Sequence, residues 1–347
     1  MKKDNSMIAS YQVDKHLLDT FIKGLSLGTY KYHQFYDTHD VLASNWFEIQ
    51  NNFKFSKKPK RLPILFFDIE VDAEEGIFPD PPIAKWAVNA ITTMNSITRE
   101  ITLFYIPPRD AKPRDWETEV VEFFNNTVAE HPEYEIDGIA FQFKKYKNDE
   151  KLLIDFWKHV RESAIIALSG FNSNLFDIPY LVNRSKNIFG RDYKKIISEF
   201  GDLRKFGEQY EIPDYSFIDL LHLYKPQSAG GMAFGKARES YKLDMIANIE
   251  LKIGKLEHEE SLVELYYKNP VKFFVYNIFD TVLLYLLNNK LKHIDTLKGL
   301  AQFANTPFTK ALVGRSLLYQ YDKLFQYWGD GKAVCCKLYN EEISKVT

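Results

Sequence analysis

The run Leu62-Pro63-Ile64-Leu65-Phe66-Phe67-Asp68-Ile69-Glu70-Val71 is β-branched and aromatic, has the length of a strand, and carries two acids spaced by two near its end. Residues i and i+2 of a strand point to one face, so Asp68 and Glu70 share theirs. Two carboxylates side by side on a buried strand repel each other and lose hydration, a cost that a proton or a cation between them offsets. A chain that keeps both must bring other groups to that strand end, and a divalent metal is the simplest such group.

Two further acids stand in motifs of their own. The segment Ser169-Gly170-Phe171-Asn172-Ser173-Asn174-Leu175-Phe176-Asp177-Ile178-Pro179-Tyr180-Leu181 follows the apolar run Ala164 to Leu168 and opens a helical pattern, Tyr180 to Phe189. It reads as strand, turn and helix start, with Asp177 capping the helix while pointing at the strand end, and Pro179 suited to the first turn. The segment Tyr276-Asn277-Ile278-Phe279-Asp280 lies inside the long apolar pattern Val271 to Leu291. On a helix its Tyr276 and Asp280, four apart, share a face.

An acid pair in Asp-x-Glu, then Asn-x-x-x-Phe-Asp-x-Pro-Tyr, then Tyr-x-x-x-Asp, in this order, resembles the 3′→5′ exonuclease domain of family B DNA polymerases. Gly76-Ile77-Phe78-Pro79-Asp80-Pro81 and Asn305-Thr306-Pro307-Phe308 are most similar to the T-even phage branch. The resemblance spans about residues 61 to 315. It implies an α/β chain with the ribonuclease H-like exonuclease fold, a mixed sheet flanked by helices. The order of segments agrees: strands at Arg61 onward, Trp86 to Asn95 and Glu100 to Ile106, a helix Trp116 to Glu130, a strand Ile139 to Phe143, a helix Asp149 to Glu162, a strand Ala164 to Leu168, then mostly helices. Acids at the carboxyl ends of such strands are where ligands bind in open α/β sheets.

Phosphodiester hydrolysis needs a water deprotonated near neutral pH and charge stabilisation on the attacking and leaving oxygens, which two metal ions about 4 Å apart supply. Hard oxygen donors suit Mg²⁺ or Mn²⁺, and no His/Cys cluster proposes zinc. The resemblance implies that Asp68 bridges both ions, that Glu70 and Asp280 complete the first site, and that Asp177 holds the second largely through water. It implies that Tyr276 orients the attacking water, the tyrosine standing where other members of the superfamily carry a histidine. On the substrate side it points to Phe78, Asn172 and Phe176. Phe78 matches an aromatic that stacks on terminal bases, an interaction worth about 1–3 kcal/mol per base, or is one more buried ring among 27 Phe. Asn172 contacts the substrate end, braces the acids, or simply forms a turn. Phe176 reads first as packing beside Asp177. Asp219, in Phe217-Ile218-Asp219-Leu220, is expected to cap or brace rather than to bind metal. The phage members carry a β-hairpin before that stretch, and the short region Gly201 to Tyr215 leaves little room for a long one.

With 347 residues, 45% hydrophobic, and a formal charge of −2, the chain has the make-up of a soluble protein of one large domain or two modest ones. Near-neutral charge argues against coating nucleic acid by charge alone. No apolar run near twenty residues and no signal pattern at Met1-Lys2-Lys3-Asp4-Asn5 is evident, so a cytoplasmic place, a host cytosol for a phage protein, is expected, with no membrane partner. Adjacent Cys335 and Cys336 read as free thiols. The basic run Lys57 to Arg61 is a solvated linker or a phosphate contact, and Lys194 and Lys195 carry the same two readings.

The expected division is a short N-terminal region, 1–60, with one amphipathic helix Asp14 to Leu25, an exonuclease domain, 61–290, and a helical extension, 291–347. The palm motifs of family B polymerases, Asp-x-x-Ser-Leu-Tyr-Pro-Ser and Asp-Thr-Asp, do not occur in the sequence. By resemblance the chain is then the exonuclease part of a split or truncated polymerase, with the 3′ end of single-stranded DNA as substrate. Its expected partners are a separate palm, fingers and thumb chain and other replisome proteins. Leu317, Leu318, Tyr321, Leu324, Phe325 and Trp328 recur at helical spacing and either pack on the core or dock that partner. Two other function classes stay open: a DNA-holding or assembly subunit without chemistry, and a stand-alone exonuclease of repair or RNA processing.

Overall fold

A computed structural model of the chain describes residues 62–206, 209–225, 234, 239–256 and 260–304. The expected helix Asp14 to Leu25, the basic run Lys57 to Arg61, the Asn305 to Phe308 motif, the apolar recurrence from Leu317 to Trp328 and the two cysteines lie outside these residues. The chain divides into two compact units. One comprises Lys60–Gln227 and Ala233–Asp295, the other Met1–Pro59, Ser228–Met232 and Thr296–Thr347. The first unit contains the sheet and the acids.

Six strands form one mixed sheet: β1 (Ile64–Val71), β2 (Val88–Asn95), β3 (Glu100–Tyr105), β4 (Ala140–Lys145), β5 (Ala167–Gly170) and, after a separate small hairpin, β8 (Ser216–Asp219). Their spatial order is β4-β3-β2-β1-β5-β8, with β1 antiparallel to β2 and parallel to β5. This is the ribonuclease H-like arrangement that the motif order implies. The hairpin, β6 (Arg204–Phe206) and β7 (Gln209–Glu211), is short, as the length of Gly201 to Tyr215 requires.

The alternation of β1 decides which layer meets which face. Leu65, Phe67 and Ile69 join a core with Leu152, Phe156 and Trp157 of α2 (Asp149–Glu162) and Ile178 and Leu181 of α3 (Asp177–Phe189). Phe66 and Asp68, on the opposite face, meet Tyr285 and Asn277 of α8 (Pro270–Leu291), Phe66 by a ring contact at 6.2 Å. Between these lie α4 (Tyr193–Ile197), α5 (Leu220–Tyr224), α6 (Leu243–Leu251) and α7 (Leu262–Lys268), and a final helix α9 spans His293–Ala304.

Two helices match their expected bounds, and the caps explain why. Before α1 (Trp116–Glu130), Asp115 accepts from the Thr118 N–H at 3.2 Å, and before α2, Asn148 accepts from the Lys151 N–H at 3.4 Å. Trp116, Val120, Phe124 and Thr127 then form one buried stripe, with Phe124 stacked on Phe279 of α8 at 4.7 Å.

Other boundaries differ for local reasons. The strand expected from Trp86 starts at Val88 because the Tyr180 hydroxyl bonds both the Trp86 N–H, at 3.1 Å, and its carbonyl, at 2.8 Å, in place of a neighbouring strand. The strand expected from Ala164 starts at Ala167 because Ala164 is left-handed, at φ 46°. Helix α3 starts at Asp177 rather than Tyr180, and Asp177 is its first residue rather than its cap; the capping position is Phe176, which makes no side-chain cap bond. Helix α8 corrects the statement that no apolar run nears twenty residues. It is 22 residues long and apolar enough by length and composition to cross a membrane, yet 89% of its apolar window is buried inside the protein. A helix apolar on nearly every side belongs in a core.

Candidate active site

Strand β1 delivers Asp68 and Glu70 half-buried at its end, and α8 delivers Asp280, 2% exposed. One carboxylate oxygen from each of the three lies within 4.8 Å of the others. Three acids this close cannot all stay charged without a compensating cation. Burial, then Asp280, Asp177 and Glu70, push the Asp68 carboxyl well above its ordinary range, with Lys255 opposing. Burial and Asp280 push Glu70 to about 8. Asp177, 5% exposed at the start of α3, is pushed by burial to about 7, against the opposing pull of the Asp177 and Ile69 backbone amides. A carboxyl-only donor set with this repulsion fits a hard divalent cation.

The placement of each acid has a local cause. A register shift between Glu70 and Val71 ends the regular pairing of β1 with β2 at the point where the acids emerge. At the end of β5, Gly170 is required, since a Cβ there would come within 2.7 Å of the Ser173 Cβ. Asn172 follows in the left-handed region at φ 60°, and its carbonyl accepts from the N–H groups of Leu175 and Phe176 at 3.1 and 3.2 Å. That is the turn-forming role, and it aims α3 at β1. Asp219 braces the turn: its carboxylate accepts from the N–H groups of Asn172, Asn174 and Leu221 at 2.8, 3.0 and 2.9 Å, capping α5 as it does so.

Three further contributions surround the acids. Asn277 donates to Asp68 Oδ2 at 2.7 Å while its own oxygen accepts from Thr92 of β2 at 2.5 Å, so a relay from a neighbouring strand fixes the Asp68 carboxylate. The signal was present, since Asn277 stands within the third motif. Lys255 carried no signal. Its ammonium is paired with Asp280, lies 3.3 Å from the Tyr276 hydroxyl and sits 5.3 Å from that ring's centroid. Burial alone would push this ammonium down, but Asp280, Tyr276 and Asp68 together hold it above the ordinary lysine range. Because an ammonium only donates, the Tyr276 oxygen accepts from it. Burial and Asp280 in turn push the Tyr276 phenol up.

The third contribution is a rim of aromatic rings. Phe78 is 77% exposed, which overturns its reading as a buried ring. It leans on Phe176 at 5.4 Å, and Phe176 on Tyr180 at 5.7 Å, so the three rings run from solvent to the first turn of α3 beside Asp177. The segment behind Phe78 is tied to one stripe of α3. Asn183 donates to the Pro81 carbonyl at 3.0 Å, Arg184 to the Lys85 carbonyl at 2.7 Å and Asn187 to the Ile83 carbonyl at 2.8 Å. Arg184 is itself held by Asp149 of α2 through two bonds, at 2.6 and 3.2 Å.

Residues 31–246, more than half of the chain, match the model of the family described as DNA polymerase family B, exonuclease domain. The chain belongs to this family. A DNA-directed DNA polymerase of Escherichia phage RB69 is 27% identical over 73% of the chain and 28% of its own length. One of Enterobacteria phage T4 is 25% identical over 70% of the chain and 27% of its own length, and DNA polymerase 1 of Aeropyrum pernix is 27% identical over 69% and 21%. The chain thus spans about a quarter of the length of these curated relatives. The family B exonuclease match stops before α8, so the parts given to Lys255, Tyr276, Asn277 and Asp280 rest on their geometry.

Proposed function

We propose that this family B exonuclease domain removes nucleotides from the 3′ end of DNA by divalent-metal-dependent phosphodiester hydrolysis, as a proofreading activity. The observation that carries the reading is the convergence of Asp68, Glu70 and Asp280 within 4.8 Å, with Asp177, Tyr276 and Lys255 around them. Asp68, Glu70, Asp177 and Asp280 would hold Mg²⁺ or Mn²⁺, which when bound supplies Lewis acidity and a water acidic enough to attack at neutral pH.

The chain's own groups account for the rest. Tyr276, its oxygen accepting from Lys255, presents its hydroxyl proton away from the ammonium and orients the attacking water. Lys255 offsets the negative charge that gathers on the phosphoryl oxygens, and Asn277 keeps Asp68 in one rotamer. Phe78 stacks on a terminal base, with Phe176 and Tyr180 behind it as support. DNA as substrate and a family B polymerase portion as the source of the 3′ end are supported by the names of the phage relatives.

The test is digestion of 5′-labelled single-stranded and 3′-recessed DNA by the full chain with Mg²⁺, beside Asp68→Ala. A ladder shortening from the 3′ end, lost in the variant, is expected. Internal cuts, equal digestion by Asp68→Ala, or faster digestion of RNA than of DNA would overturn the reading.

A further inference from the structure

Lys255 lies on no regular element. It follows the left-handed Lys252, at φ 69°, that closes α6, and a side chain on such a segment is only as well placed as its backbone. The peptide unit that joins Gly254 to Lys255 is bonded at both poles. Its carbonyl accepts from the Tyr134 hydroxyl, and its N–H donates to Asp244 Oδ1 at 2.9 Å. The same Asp244 oxygen accepts from Asn248 at 3.1 Å. Residue 254 must be glycine for this approach, because a Cβ there would strike the Asp244 carboxylate and come within 2.6 Å of Asn248 Nδ2.

Tyr134 is anchored to the other side of the site. It is buried in the one-turn helix Pro132–Tyr134, and its ring meets Phe279 edge-on at 4.6 Å. Phe279 adjoins Asp280 on α8, the helix that also carries Tyr276. One phenol therefore touches the helix bearing the acid and the loop bearing the ammonium, and fixes the spacing between them. Neither Tyr134 nor Asp244 has been placed against substrate.

We infer that Tyr134 and Asp244 are positioning residues that hold the Gly254–Lys255 peptide so that the Lys255 ammonium stays on Asp280 and Tyr276. The inference rests on the part given to Lys255 in the proposed hydrolysis. Misplacing a reacting group by an ångström costs about 10²-fold in rate, so loss of either tie lowers kcat without raising KM for the single strand.

The experiment measures Tyr134→Phe and Asp244→Ala in the natural chain and again in a Lys255→Ala background. Tyr134→Phe keeps the ring on Phe279, and Asp244→Asn keeps an acceptor oxygen for the Lys255 N–H. The expected result is a drop in kcat of about 10- to 100-fold for Tyr134→Phe and Asp244→Ala, recovery with Asp244→Asn, and little further loss once Lys255 is gone. A readout independent of turnover is acylation of Lys255 in the metal-free protein, followed by peptide mass. Lys255 should react slowly in the natural chain and faster in both variants, with exposed Lys85 unchanged.

Equal losses in the presence and absence of Lys255, or unchanged Lys255 labelling, would overturn the inference and leave the hydrolytic reading intact. Full activity of Lys255→Ala would instead overturn the part assigned to Lys255 itself.

Discussion

Asp68, Glu70 and Asp280 stand on a strand and a helix whose backbones are fixed by their own ladders, whereas Phe78 and Lys255 stand on segments held by side chains from far along the chain. On the acid side, β1 is paired on both flanks and α8 is buried on nearly all sides. On the other side, four residues of α3, from Tyr180 to Asn187, hold the loop of Phe78, and Tyr134 reaches over a separation of 120 residues to hold that of Lys255. The two plans separate chemistry from alignment. Damage on the first side should remove the reaction and leave the fold, and damage on the second should act by misplacement, weakening the grip on substrate where Phe78 moves and slowing turnover without abolishing it where Lys255 moves.

The largest test of that division is Asp280→Ala, expected to abolish digestion while the chain still unfolds cooperatively, because the repulsion it lifts from Asp68 and Glu70 offsets the Lys255 ion pair it breaks. A folded, fully active variant would erase the distinction. Next comes Arg184→Ala, which strands Asp149 and releases the loop carbonyls. With side-chain exposures of 18% and 8% in this pair, a loss of about 3 kcal/mol in urea unfolding is expected, at the low end for a broken buried ion pair. A change within experimental error would mean that the loop is not held by α3.

Protonation offers a third test. Glu70 is raised from 4.5 to about 8 by burial and Asp280, so the folded state keeps a proton that the unfolded chain gives up earlier. The stability this proton contributes is complete below about pH 4.5 and is lost as pH rises through about 8. Between pH 5 and 8 the metal-free natural chain should therefore lose roughly 2–4 kcal/mol more than Glu70→Gln, read from urea midpoints, and Mg²⁺ should restore much of it. Equal slopes would show that Glu70 is not under the pressure its neighbours imply. The smallest effect is Phe78→Ala: KM for single-stranded DNA should rise about ten-fold, the size of one lost stacking contact, with kcat held. A fall in kcat instead would place Phe78 on the chemical side.

What could be read in advance follows the same line. The α/β order, the helices Trp116 to Glu130 and Asp149 to Glu162 and the acids Asp68, Glu70 and Asp280 are written within single elements, where periodicity and spacing carry the information. The turn at Asn172 and its brace Asp219 were close enough in the pattern to be named. Lys255 was not, because its place depends on Tyr134 and Asp244, which share no period with it. Phe78 left its environment open for a different reason: in a chain with 27 Phe, a ring on a rim and a ring in a core look alike until the loop is seen. Asp177 misled as a cap because a first-turn acid and a capping acid differ by one residue.

The burial of α8 also governs where the gene can gain or lose codons. Each residue of an α-helix turns the next by about 100°, so one residue inserted between Phe273 and Tyr276 would swing Tyr276, Asn277 and Asp280 together off β1 and drive apolar neighbours into their places. Length changes in this helix are confined to its Leu291 end, past the last of the three.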